Sequence, residues 1–254
     1  MASIKITFIG HASFLFENEG EKTYFDPWLK DPKLGDWQSP VSPWDIDDIT
    51  EADVVCVTHG HLDHIGNSID IVKKTNACLI CSPEVGMYAD KHGVPYDTEP
   101  TAYALNIGGS AKVGKAIYTM VPSCHSTNMM LYEYLQDKTM GADGQTCGFV
   151  ISFDNGIVLY DSGDTGVSAE MQIIGNMYDP EIAIMPAGGQ YTMGLREFAF
   201  ACHMLRPKIA IPCHYDTFPK QAADIDKLRE MVAVTSPRTE VIKLEPGESY
   251  TYEK

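Results

Sequence analysis

The sequence predicts an α/β protein in which two mixed β-sheets lie back to back with helices outside. Three observations lead there. The N-terminal third reads as short β-rich strands joined by tight turns. From residue 53 onward, strands alternate with stretches of helical spacing. This order, strands first and βα units after, occurs twice, which implies two similar halves. The 254 residues, 44% of them hydrophobic, can bury a sizeable core, and no repeat, low-complexity tract or linker divides them. Residues 1–254 are therefore expected to form one domain.

The elements follow in order. Ile4–Ile9 and Ser13–Glu17 are apolar and β-rich, and the turn Asn18-Glu19-Gly20 leads to a third strand at Thr23–Phe25. Residues 27–45 carry four prolines and three tryptophans (Trp28, Trp37, Trp44), which suits an ordered loop. Asp53–Thr58 reads as a buried strand, 65–74 as a helix, and Ala77–Cys81 as another buried strand. Ser82-Pro83 has the form of an N-cap followed by proline at the first helical position, opening a helix to about Lys91. A β-rich stretch at 101–122 is expected to turn as a hairpin at Gly108-Gly109, and 124–146 reads as a long loop. Asp154-Asn155-Gly156 marks a hairpin between Gly148–Phe153 and Ile157–Asp161. Helices near 168–177, 194–205 and 220–233 then alternate with strands at 181–185, 208–212 and 239–244.

Composition narrows the function classes. Lys+Arg 19 against Asp+Glu 35 gives a net charge of −16 with neutral histidine. That balance argues against nucleic acid and against a polybasic membrane anchor, both of which need clustered cations. The first residues lack the basic and apolar regions of a secretory signal, and no apolar run is long enough to span a bilayer. Seven cysteines at irregular spacing cannot form a complete disulfide framework and suit a reducing cytoplasm, the expected location. The expected partner is a small-molecule substrate, with a homo-oligomer left open.

The feature that carries chemistry is Thr58-His59-Gly60-His61-Leu62-Asp63-His64, directly after an apolar strand, where α/β proteins place ligand sites. His59 and His61 are two apart, so in extended backbone they project the same way and can share a metal ion. Asp63 and His64 follow the turn into the helix and are placed for a second ion. Imidazole and carboxylate suit zinc, manganese or iron. A solvated histidine-rich turn would be the plain alternative, but three more candidates occur downstream, each after a strand: His125, Asp164 and His214.

On these residues the chain resembles the metallo-β-lactamase superfamily, whose hallmark is His-x-His-x-Asp-His. Gly10-His11-Ala12-Ser13-Phe14, Phe25-Asp26-Pro27, Gly163-Asp164-Thr165, Gly188 through Met193 and Ile211 through Tyr215 are similar to the L-ascorbate-6-phosphate lactonase-like branch. The resemblance implies a four-layer αββα sandwich and a dinuclear site holding two divalent ions, zinc or manganese, with iron as a further candidate. His59, His61 and His125 would bind one ion, Asp63, His64 and His214 the other, and Asp164 would bridge. It implies a hydrolase whose bridging hydroxide attacks a small soluble substrate: a lactone, phosphorylated sugar lactones included, or a related carbonyl ester or amide. The segment 126–147 is longer than expected for the branch and bears on the pocket's shape.

Further residues are weighed individually. His11 is expected to donate a hydrogen bond to substrate or to a ligand, and Asp63 to orient the attacking hydroxide or shuttle a proton. Asp26 is expected to brace a ligand histidine, because such imidazoles usually donate to a carboxylate. Tyr191, Thr192 and Tyr215 are candidates for the substrate pocket, with Thr192 also readable as a helix N-cap. His92 reads as a helix C-cap and His203 as a surface residue. Cys78-x-x-Cys81 is read as neither redox nor zinc-binding, because residues three apart on a strand face opposite sides. Cys124 and Cys213 are expected to point into the core. Phosphodiester cleavage, a di-iron redox protein and a non-catalytic metal-binding protein are the competing functions.

Overall fold

In a computed structural model of the chain, residues 1–127 and 144–254 are described. They form two sheets of seven strands each. The first sheet begins as an antiparallel meander of β1 (Ser3–Gly10), β2 (Ser13–Asn18) and β3 (Glu21–Phe25). It continues with parallel β4 (Val54–Cys56), β5 (Cys78–Cys81) and β6 (Ala102–Ala104). The second sheet repeats the plan. Antiparallel β7 (Ser110–Val113), β8 (Ala116–Pro122), β9 (Cys147–Phe153) and β10 (Val158–Asp161) precede parallel β11 (Ile182–Pro186), β12 (Ile209–Cys213) and β13 (Glu240–Val241). A last strand, β14 (Ser249–Glu253), returns to the first sheet and pairs antiparallel with β1.

Strand alternation builds the layers. Ile4, Ile6 and Phe8 of β1 face inward with Phe14, Phe16 and Phe25, and meet Phe149 and Ile151 of the second sheet in one core. Outside the first sheet pack α1 (Leu62–Ile65), α2 (Ser68–Thr75) and α3 (Pro83–Lys91), through Ile71, Val72, Val85 and Ala89. Outside the second pack α4 (Glu170–Tyr178), α5 (Leu195–Leu205) and α6 (Ile225–Thr235). The result is the four-layer αββα arrangement. Cys78 enters the inter-sheet core while Cys81 enters the helix-side core, so the two thiols do face opposite sides. Among the described residues, no helix is long and apolar enough to cross a membrane.

Several expectations need correction. Gly108-Gly109 is not a hairpin but the crossover between sheets, because β6 belongs to the first and β7 to the second; the hairpin turns at Gly114-Lys115. The helix expected at 65–74 is split in two at Gly66, whose φ is +35°. An added Cβ there would collide with the backbone of Pro27 and Trp28, so only glycine permits this close approach. The strand expected at 239–244 shortens to two residues, and the helix expected at 220–233 begins only at Ile225, after a 3-10 turn at Pro219–Gln221. Thr192 is not an N-cap: Gly194 occupies that position, without a side-chain cap. Ser82 does cap α3, accepting from Val85 N at 3.4 Å. Most of the loop expected at 124–146, and of the segment 126–147, lies outside the described residues.

Candidate metal centre

The residues that carry chemistry sit where strands end, apart from Asp63 and His64, which lie in α1 just beyond β4. β1 runs out at Gly10 and the chain turns through His11, held at φ +58°. β4 ends at Cys56, and Val57-Thr58 carry the backbone to His59. β8, β10 and β12 end shortly before His125, Asp164 and His214. The turn into Asp164 is tight: Gly163 adopts φ +54°, and an added Cβ would lie 2.7 Å from Cys147 O. Asp161 Oδ1 accepts from Gly163 N at 3.0 Å and shapes the same turn. The two halves join directly at the site, where His214 N donates to His11 O at 2.7 Å.

Two compact groups of donor atoms result. His59, His61, His125 and Asp164 form one, and His11, Asp63, His64 and His214 the other; within each, the atoms lie within 4.8 Å of one another. Asp164 stands between them. Its Oδ1 is 3.3 Å from His64 Nε2, and its Oδ2 is 3.2 Å from His214 Nε2 and 3.5 Å from His125 Nε2. All seven residues expected as metal ligands are thus brought together, with His11 as an eighth donor.

The ring orientations are set from behind. His64 Nδ1 donates to Asp26 Oδ2 at 2.7 Å, which turns its Nε2 toward Asp164. Asp26 also accepts from Thr58 N at 2.8 Å and from Thr58 Oγ1 at 2.6 Å. Because the Thr58 hydroxyl donates to Asp26, its oxygen is free to accept from His59 Nδ1, 2.9 Å away, leaving a lone pair on His59 Nε2. The Thr217 hydroxyl lies 2.8 Å from His11 Nδ1, and the side-chain amide nitrogen of Gln221 lies 3.3 Å from His214 Nδ1. Asp26 therefore braces a candidate ligand, as expected. The parts played by Thr58, Thr217 and Gln221 carry no sequence signal, apart from the adjacency of Thr58 to His59.

Electrostatics follow from burial and crowding. Burial and neighbouring imidazoles hold His59 well below the ordinary histidine value, and burial holds His11 and His61 at about 4 and lowers His125. Burial works against charge on His64 and His214 too, but carboxylates outweigh it. Asp164 and Asp26 hold His64 well above the usual range, and Asp164 and Asp63 bring His214 to about 9. Burial would raise both acids; instead His11, His214 and His64 keep Asp63 ionised, and His214 and His64 keep Asp164 ionised, each well below the usual carboxylate range.

This donor set fits divalent cations. Among the described residues, His64 Nε2, His214 Nε2 and Asp164 Oδ1 are buried without an aligned hydrogen-bond partner, though they lie close together. Buried polar atoms are rarely left so. Once His64 and His214 give up a proton each, the lone pairs that converge from these imidazoles and the carboxylate are what a cation would satisfy.

The remaining candidates are placed differently. Tyr191 is 54% exposed, on a loop tied to the Asp164 turn by Met193 N donating to Thr165 O at 3.1 Å. Thr192 keeps its Oγ1 buried without a partner among the described residues. Tyr215 is packed into the apolar core between the second sheet and its helices. Cys213 is buried, as expected, whereas Cys124 is exposed and not in the core; its amide donates to Thr165 Oγ1 at 2.9 Å. His92 is the C-cap of α3, and His203 lies on the surface of α5.

Comparison with known proteins agrees with this geometry. A family model described as "Beta-lactamase superfamily domain" matches residues 5–214. The chain belongs to that superfamily, and it is a metal-dependent hydrolase of the metallo-β-lactamase fold. More narrowly, it is 39% identical to the UPF0173 metal-dependent hydrolase of Methanopyrus kandleri over 97% of this chain and 99% of that one. It is 38% identical to a UPF0173 metal-dependent hydrolase of Archaeoglobus fulgidus, over 99% of this chain and all of the other. A solved metallo hydrolase from Ignicoccus hospitalis superposes with a TM-score of 0.82 at 32% identity, covering 99% of each chain.

Proposed function

We propose that the protein holds two divalent ions and uses them to open a lactone or a related carbonyl ester or amide. The observation that carries this reading is the Asp164 carboxylate, standing between two histidine-rich groups whose ring nitrogens face it. His59, His61 and His125 would hold one ion, Asp63, His64 and His214 the other, with Asp164 shared. Ions so held would supply Lewis acidity toward the substrate oxygen and would make a nearby water more acidic near neutral pH. Zinc and manganese both suit the donor set, as does iron.

The chain's own residues supply orientation and a proton site. The Asp63 side chain, 30% exposed, is the more accessible of the two acids and can accept a hydrogen bond from an attacking water, or relay its proton, at Oδ2. His11 Nε2 lies 2.9 Å from that oxygen and is backed by Thr217, so the pair is fixed before substrate arrives. Asp26 and Thr58 fix His64 and His59.

The test is metal analysis of purified protein, followed by assays of zinc- and manganese-loaded enzyme against lactones, amides and cyclic phosphodiesters. About two ions per chain and lactone turnover are expected. A folded protein that takes up no metal would refute the proposal. Cleavage confined to phosphodiesters would replace the carbonyl substrate and keep the centre.

A further inference from the structure

One exposed aromatic ring stands against the centre. Phe218 is 42% exposed, yet its ring meets the His11 imidazole edge-on with centroids 6.1 Å apart. His11 in turn lies 3.9 Å, centroid to centroid, from His214 and 5.3 Å from Trp28. Trp28 is buried, so Phe218 is the one of these rings that solvent, and therefore substrate, reaches.

The backbone holds that ring in place. Pro219 follows Phe218 and confines it to extended conformation, seen at φ −129° and ψ 150°. Phe218 O accepts from Gln221 N at 2.9 Å, and Asp216 N donates to Gln221 O at 3.0 Å. Asp216 Oδ1 accepts from Ala223 N at 3.0 Å, closing the turn. The same stretch supplies His214 with Gln221 behind it and Thr217 behind His11. A single exposed phenylalanine elsewhere on a surface needs no explanation. This one is fixed at the edge of a site whose metal-facing groups are all polar, where binding sites place the apolar surface that selects a substrate.

We infer that Phe218 determines specificity: it contacts an apolar substituent, alkyl or aryl, carried by the substrate beside its scissile carbonyl. The inference rests on the hydrolase reading above, and it narrows the substrate to lactones or esters with an apolar tail. Phe218 acts by binding and takes no part in proton transfer.

Alkyl hydroxamates test this without turnover, because the head group chelates the metal and the tail samples the rim. Binding of aceto- and hexanohydroxamate to the zinc-loaded holoenzyme would be measured calorimetrically for wild type, Phe218→Ala and Phe218→Leu. A fully buried methylene strengthens binding about fourfold. Four added methylenes against one open-sided ring should therefore gain about tenfold in wild type. In Phe218→Ala the gain should fall below about twofold, with acetohydroxamate binding and metal content unchanged; Phe218→Leu should retain an intermediate gain. An undiminished gain in Phe218→Ala, or equal weakening of both ligands, would overturn the inference and leave the metal centre standing. Failure of acetohydroxamate to bind loaded wild type would overturn the centre, and the inference with it.

Discussion

Replacing Asp26 by asparagine tests the logic of the centre most directly, because the change is nearly isosteric and the residue is buried. Asp26 sits at φ +44°, a conformation that asparagine tolerates well, so the backbone should not object. Three donors converge on the carboxylate. Thr58 N uses Oδ1, while the Thr58 hydroxyl and His64 Nδ1 both use Oδ2. In the variant Oδ1 can keep the first bond, but an NH2 group replaces Oδ2 and faces two other donors. In its singly protonated, metal-binding form His64 can then avoid an unsatisfied N–H only by moving that proton from Nδ1 to Nε2, the atom that faces Asp164. An imidazole protonated there has no lone pair for a metal. Partners behind metal ligands typically contribute 10- to 100-fold in affinity, about 1.4–2.7 kcal/mol. Asp26→Asn should therefore bind the His64-side ion about 10- to 100-fold more weakly, with the His59-side ion less affected. A chelator-competition titration with metal analysis reads this out. Wild-type affinity for both ions in a folded Asp26→Asn protein would refute the reasoning.

Further outcomes are expected from the same geometry. Asp164→Ala should lose turnover and lower affinity at both ions, because its carboxylate approaches imidazoles of both groups, whereas His61→Ala should abolish turnover with its metal loss confined to one ion; full activity in either would contradict the assignment. His64 and His214 carry protons in the metal-free protein, His214 up to about 9, so metal loading at pH 7 should release about one to two protons per chain and strengthen as pH rises toward 9. Calorimetry in buffers of different ionisation enthalpy would show that release. Gly66→Ala should lower thermal stability by roughly 2–4 kcal/mol, because its Cβ would collide with the Pro27 and Trp28 backbone, and a Tm equal to wild type would contradict this packing.

The sequence made the donor set readable because each donor follows an apolar strand, and strand ends are local signals. His59, His61, Asp63 and His64 announce themselves by spacing alone, and His125, Asp164 and His214 each follow a run of buried residues. What stayed hidden depends on distant partners. Thr217 is an ordinary residue until the end of β12 meets the end of β1 and brings it against His11, and Gln221 until the turn after β12 folds back onto His214. β14 reads weakly on its own because its Ser-Tyr-Thr-Tyr-Glu strand gains its place only by pairing with residues some 240 positions away. Gly108-Gly109 looks like a hairpin because two glycines mark a turn, but whether the next strand folds back or crosses to another sheet is a question of tertiary packing. Cys124 is expected in the core beside a candidate ligand, but it lies exposed in the loop after β8, where its amide donates to Thr165 Oγ1.

Each donor group takes members from both sheets. His59 and His61 come from the first and His125 and Asp164 from the second; His11, Asp63 and His64 from the first are completed by His214 from the second. Neither half on its own can present four donors to an ion. Metal uptake would thus act as a proofreading step on assembly, rewarding only the docking of the halves that lines up all eight atoms. Metal content then becomes a readout of correct folding as well as of catalytic competence.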